Sequence, residues 1–380
     1  LPSWAAYLVA CFVIMFILAN AVLLGAAGFV WVERRLVGRF QNRLGPNRWG
    51  PFGTLQPIAD LLKLMVKEDL IPANADRLVF TLVPVAMMMP VLLMLAVVPF
   101  AKNTALANLN VGVLYVLAVT SLTTLAVFMA GWSSNNRYAM FGAARGVAML
   151  ISYEVPVVLA LLGVVMVAGS MSLADVVEAQ SIPFLLVQPL ALFIFLVGIS
   201  AELNRTPFDL VEGESELVAG YHTEYSGSKF ALIQAAEFGG VLTASAVITT
   251  LFLGGWSGPA SQYLGWLWFL LKLGVLLFLF IWVRATYPRL RIDQIMALAW
   301  KFLLPLSLIN LLATTLEVYF LRDSAGRLTT GDLWAMAGIN LTVALVSVVL
   351  FGGLIREKVR PVGPRPVIAQ GSSVSVREAR

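Results

Sequence analysis

A chain of 380 residues with 59% hydrophobic and only 12% charged side chains falls far below the roughly 25% charge of water-soluble domains. With a mean hydropathy of +0.87, this excludes a secreted domain, a coiled coil, a disordered scaffold and a free nucleic-acid binder. The net charge of +5 has no meaning until its location along the chain is known. The one cysteine, Cys11, lies in an apolar run, so there is no disulfide framework and no cysteine-held zinc or iron–sulfur site. The one histidine, His222, excludes a haem held by two histidines. Carboxylates, arginines and backbone are left to carry the chemistry.

In chain order, nine apolar blocks occupy residues 7–32, 78–100, 112–131, 147–168, 183–201, 232–254, 264–283, 302–320 and 333–354. Each approaches the ~20 residues that cross a bilayer core, and backbone in lipid must satisfy its own polar groups, so helices are expected rather than strands. The fold class is therefore an all-α polytopic membrane protein of about nine transmembrane helices. The first block is too long for a secretory h-region and lacks a basic segment before it, so it reads as a retained anchor. Residues 1–358 form one expected membrane domain. The Pro-, Gly- and Ser-bearing stretch 359–380 reads as a flexible tail.

Of the 26 Lys and Arg residues, 22 fall between blocks one and two, three and four, five and six, seven and eight, or after block nine. Positive residues mark the cytoplasmic side. The expected orientation thus places the N-terminus outside and the C-terminus on the cytoplasmic side.

Two cytoplasmic stretches exceed ordinary helix connections. The first, 33–77, is punctuated by Gly45, Pro46, Gly50, Pro51 and Gly53. From Pro57 onward, Ile58, Leu61, Leu62, Leu64 and Met65 alternate with Asp60, Lys63 and Lys67 as an amphipathic helix that lies in the interface or packs on a partner. No Gly-Lys-Ser/Thr closes its Gly-rich part, so it is no phosphate loop. Arg34 and Arg35, beside Glu33, face a polar cavity or a lipid headgroup. The second stretch, 201–230, carries Glu202, Asp209, Glu212, Glu214, Glu216 and Glu224. Carboxylates this close disfavour one another's ionisation, and their spacing lacks the calcium-loop pattern. The plainer reading of such a stretch is a solvated loop.

Ionisable groups within spans are rare and usually functional. Glu154 lies eight positions into block four, Glu202 ends block five, and Glu237 lies five positions into block six. All three fall within roughly 12 Å of the cytoplasmic surface at 1.5 Å per residue. Such a row either pairs or exchanges protons, as a relay does; for any one member the alternative is an ion pair that sets helix register. Lys272 falls near the opposite surface, Glu317 reads as a solvated boundary residue, and Pro156 is expected to kink block four.

The stretches ERRLVGRFQNRLGPNRWGPFGTLQPIADLLKLMVKED, SYE at 152–154, AELNRTPFDLVEGESELVAGYHTEYSG, and RIDQ followed by WKFLLPLSL closely resemble the membrane H subunits of respiratory complex I (bacterial NADH-quinone oxidoreductase, NDH-1). The resemblance runs in order over residues 4 to 355. It implies a subunit without redox groups or metal of its own, joining the iron–sulfur subunits of a hydrophilic arm to small and antiporter-like membrane subunits. It implies quinone (ubiquinone or menaquinone) as substrate and surrounding membrane lipids. Glu33, Arg34 and Asp60 fall on quinone-chamber positions. Glu202, Glu212, Glu214 and Glu216 fall on the acidic loop series, and Glu154 and Glu237 on intramembrane acids of a proton relay. Two departures matter: Val211 and Gly213 replace a usual proline and alanine in the acidic loop, and Ser121 stands where some relatives carry an acid. A stand-alone cation/proton antiporter and a hydrogenase-type subunit are the competing readings. The turn-rich stretch from Glu33 argues against the antiporter, which has no evident use for such a docking surface. The resemblance at Arg34, Gly45–Pro46–Asn47–Arg48 and Pro207–Phe208–Asp209 favours the quinone-linked branch over the hydrogenase type.

Overall fold

The computed structural model describes residues 3–102, 104–211, 218–322 and 328–358. Among these the chain is built from helices and turns. We number the helices α1 (Ser3–Phe40), α2 (Gln56–Val66), α3 (Arg77–Val97), α4 (Gly112–Ser133), α5 (Arg137–Ala168), α6 (Leu173–Ala179), α7 (Phe184–Val187), α8 (Pro189–Glu202), α9 (Gly227–Phe252), α10 (Ser261–Thr286), α11 (Ile292–Leu321) and α12 (Thr330–Lys358). Seven of them, α1, α3, α4, α5, α9, α10 and α11, are long and apolar enough to cross a membrane.

Of the remaining two expected spans, one takes another form. The block 183–201 is broken at Gln188 into α7 and α8. At 14 residues, α8 is about 21 Å long, short of the ~30 Å hydrocarbon core. The last block lies within α12. Several helices outrun their apolar blocks. α1 continues past residue 32 to Phe40 and α5 starts at Arg137, ten residues before 147, because charged and small polar residues extend a helix once it leaves lipid. α5 runs through Pro156 as one element, and α11 contains a π-helical turn at Leu298–Leu303.

α5 forms the centre, packed against α4, α8 and α11, while α9 lies between α3, α1 and α10. Small residues let these helices approach. A Cβ on Gly131 would fall 2.3 Å from that of Ala143, and one on Gly198 would fall 2.2 Å from Val157 Cγ2. α2 lies across α1 and α9 with no buried residue. Its Ile58, Leu61, Leu62 and Met65 are exposed, as an interfacial helix requires.

The two long stretches clasp each other. Ser226 Oγ accepts from Leu70 N at 3.0 Å and donates to Glu68 O at 3.3 Å. Lys229 pairs with Asp69 at 2.9 Å; Asn136, just ahead of α5, also holds the second stretch by donating to Glu224 at 2.6 Å. The first stretch also folds back on α1. The Trp31 indole and the Arg35 guanidinium both donate to Phe52 O, at 3.2 and 3.0 Å, and Arg35 stacks between the Trp31 and Phe52 rings.

Candidate functional site

Glu33 sits at the level where α1 leaves its apolar block and is 6% exposed. A carboxylate buried there needs cations. Arg205, in the turn after α8, donates to both its oxygens at 3.3 Å, and Arg284, near the end of α10, pairs with it directly. Arg205 also lies 4.4 Å over the Phe238 ring, which holds the guanidinium flat against α9. The adjacent Arg34 turns the other way and pairs with Asp60 of α2 at 2.5 Å. Asp209 is buried against Arg289 at 2.7 Å.

Around these groups opens a cleft of about 750 Å³, lined by Glu33, Arg34, Arg43, Asp209, Arg284 and Arg289 among others. That volume is in the range of small-molecule sites, and four arginines against two acids leave it cationic. Behind it lies a polar cavity of about 70 Å³ that shares Thr206, Asp209 and Arg284 with the cleft and adds Arg205, Gln234 and Glu237. A third cavity, also about 70 Å³, shares Leu203, Asn204 and Glu237 with the second. It runs between α3, α4, α5, α8 and α9, with an apolar lining interrupted by Thr120, Thr123, Glu202, Tyr221 and Glu237. Each small cavity has room for several water molecules.

Glu237 joins the second and third cavities. Its carboxylate accepts from the Tyr221 hydroxyl at 2.7 Å, and Tyr221 rides on a 3-10 turn, Gly220–His222. That turn fits because Gly142 of α5 leaves no Cβ in the way; one would fall 2.9 Å from Gly220 Cα. Glu202 closes α8 beside the Thr120 hydroxyl and within electrostatic range of Glu154. Glu154 in turn accepts a hydrogen bond from Ser121.

The structure thus brings Glu33 and Arg34 to the cleft and Glu237 and Glu202 to the inner cavities, with Glu154 one contact further on. Asp60 is engaged as the partner of Arg34. Glu212, Glu214 and Glu216 lie outside the described residues. In the sequence, Arg205, Arg284 and Arg289 stand out only as markers of sidedness. The signal for Arg284 is nonetheless present there: a carboxylate at one span edge calls for a cation at the same depth of another. Ser121, expected only as a missing acid, is a hydrogen-bond donor to Glu154.

Three isolated groups resolve differently. Lys272 donates to the carbonyls of Gly255 and Ser257 at 3.0 and 2.7 Å, binding α10 to the turn after α9, so it serves that turn and not the acids. His222 is 8% exposed, between the rings of Tyr221 and Phe230, and burial lowers its pKa to about 4. Glu317 is not a solvated boundary residue: it is 6% exposed and accepts from Asn340 Nδ2 at 2.8 Å, because α12 packs over the end of α11 and covers it.

A family profile described as NADH dehydrogenase matches residues 12–315. A protein of Dehalococcoides mccartyi (strain CBDB1), named as the H subunit of NADH-quinone oxidoreductase, is 52% identical over 339 residues, 89% of this chain and 94% of the relative. Proteins of the same name from Brevibacillus brevis and Geobacillus kaustophilus are 47% and 48% identical, covering 84% and 82% of this chain and 96% and 95% of their own. The chain belongs to the family of NADH-quinone oxidoreductase H subunits. It is therefore a membrane component of a bacterial oxidoreductase complex, complex I, and takes part in electron transport. In this member of the family the cleft and the ion pairs around Glu33 lie at one end of the helix bundle, and the two small cavities lead from there into the bundle.

Proposed function

We propose that this subunit forms the membrane side of the quinone chamber and couples that chamber to proton translocation through an acidic series. The observation that carries this reading is the run of three cavities with shared lining residues, from Glu33 and Arg34 at the open cleft to Glu237 and Glu202 inside the bundle. The chain contributes no redox group; electrons reach the quinone from an iron–sulfur subunit docked over the cleft. Two-electron reduction places negative charge on the quinone oxygens, and each takes up a proton. Guanidinium donors in the cleft stabilise that charge as it develops.

The coupling follows from the pairings. Arg284 and Arg289 each hold a carboxylate of this site, Glu33 and Asp209. A guanidinium drawn towards a reduced quinone loosens its hold on its carboxylate and changes the field at Glu237, which faces the same intermediate cavity. Waters in the two small cavities carry protons between Glu237, Glu202 and Glu154, and Tyr221, Thr120 and Ser121 supply hydroxyl relays. Glu212, Glu214 and Glu216 extend the series on the loop side. Small and antiporter-like subunits receive the signal. In this reading the N-terminus is outside, the C-terminus is cytoplasmic, residues 1–358 are one membrane domain and 359–380 a tail.

The test uses the intact complex in membranes. Glu202→Gln and Glu237→Gln are expected to lower quinone-linked turnover about tenfold, while reduction of soluble artificial acceptors stays at the level of the parent complex. Quinone turnover and proton pumping at parent levels in both variants would sink the relay.

A further inference from the structure

A second set of buried polar groups lies away from the acidic series and has no part in the coupling proposed for it. Gln188, at the break between α7 and α8, Asn310 and Thr314 of α11, and Asn340 of α12 are each at most 1% exposed, and Glu317 is 6% exposed. Asn310, Thr314 and Glu317 are spaced i, i+4 and i+7, so they share one face of α11. Gln188 Nε2 donates to Gly163 O at 3.2 Å and reaches Thr314 Oγ1 at 3.5 Å, and Asn340 donates to Glu317. Gly163 lies about 13 Å further along α5 than Glu154, towards the opposite end of the bundle from the cleft.

The unmatched atoms in this seam are strongly biased. Gln188 Oε1, Asn310 Oδ1, Glu317 Oε1 and Asn340 Oδ1 are acceptors without a protein donor, against one donor without an acceptor, Asn310 Nδ2. Among the described residues no cationic side chain pairs with Glu317. Buried polar groups are normally satisfied, by protein or by water, and an unpaired buried carboxylate is costly. An acceptor-rich seam calls for donors. Water brings two, and a proton on Glu317 turns one acceptor into a donor. Gly163 lies against the seam: a Cβ built there would be in ordinary contact with Asn310 Nδ2 at 3.5 Å and the Gln188 amide at 3.6 Å.

We propose that the seam formed by Gln188, Asn310, Thr314, Glu317 and Asn340 is a second proton-binding site, in which ordered waters bridge the amides and Glu317 takes up and releases the proton. High-resolution cryo-EM of the intact complex is expected to show water density within hydrogen-bonding distance of Gln188, Asn310 and Asn340. Infrared difference spectra in H2O and D2O are expected to show a protonated-carboxyl band that is lost in Glu317→Gln and shifted in Gly163→Ala, whose methyl packs against the Gln188 and Asn310 amides. A seam without density, or a Glu317→Gln spectrum superposing on the parent's, would overturn the proposal. So would density and spectra that respond to sodium, which would assign the oxygens to a cation instead. Should Glu317→Gln not assemble, the parent map and Gly163→Ala decide between these outcomes.

Discussion

At the scale of the residue, Glu33 is the most heavily committed side chain of the site. Glu33→Gln leaves Arg205 and Arg284 sharing a neutral amide in a buried position, and removing one partner of such a pair costs about 3 kcal/mol or more. The melting temperature of the purified complex is expected to fall by several degrees, and to recover in part when Arg205→Met removes the surplus charge. Non-additivity in that double-mutant cycle is the signature of direct coupling. His222 yields a pH prediction. Its pKa of about 4 lies below the ordinary 6.5, so the unfolded chain binds the extra proton first. Stability is full above about pH 6.5 and is lost as pH falls towards 4. The loss amounts to about 3 kcal/mol at 1.36 kcal/mol per unit. His222→Phe, which keeps the aromatic packing, is expected to flatten the acid limb of the unfolding profile. The acids of the site were legible in the sequence, because a charge inside an apolar block is conspicuous. Their partners were not, since Arg205 and Arg284 lie 172 and 251 residues from Glu33 and no local pattern links them. Glu317 failed for the same reason: position along α11 says nothing about what α12 covers.

At the scale of the element, the apolar blocks translate into helices because bilayer-length runs leave few alternatives, and the amphipathic α2 follows from its periodicity. The break at Gln188 is less legible. Pro189 hints at a helix start, but only packing reveals that Gln188 turns inward against Gly163 and Thr314. The turn-rich segment after α1 depends on Gly53, which sits at φ +78° with a Cβ position 2.3 Å from Pro46 O. Gly53→Ala combines backbone strain with a direct clash. It is expected to displace Phe52 from Trp31 and Arg35, and limited trypsin digestion of the complex is expected to cut faster at Arg48. Digestion at the parent rate would mean that the segment is held by something other than its stacking on α1.

At the scale of the whole molecule, the polar groups divide between a cationic cleft with its acidic series at one end and an amide-rich seam towards the other. The sidedness itself is testable. Cys11 is the one cysteine and lies in α1, so the background is low: a membrane-impermeant maleimide is expected to label Lys102→Cys in intact cells and Arg137→Cys only after permeabilisation. The span order was legible in the charge distribution, whereas the joining of cavities across five helices depends on contacts that no single segment encodes. The Glu33 cluster also sets a schedule for biosynthesis. At about 5–20 residues per second, the 251 residues between Glu33 and Arg284 take roughly 10–50 s to emerge. Until Arg205 emerges, 172 residues after Glu33, the nascent chain holds a carboxylate at the membrane edge with neither of its permanent counter-ions made. The first helix must therefore wait at a depth where water, a lipid headgroup or a bound proton can stand in for them.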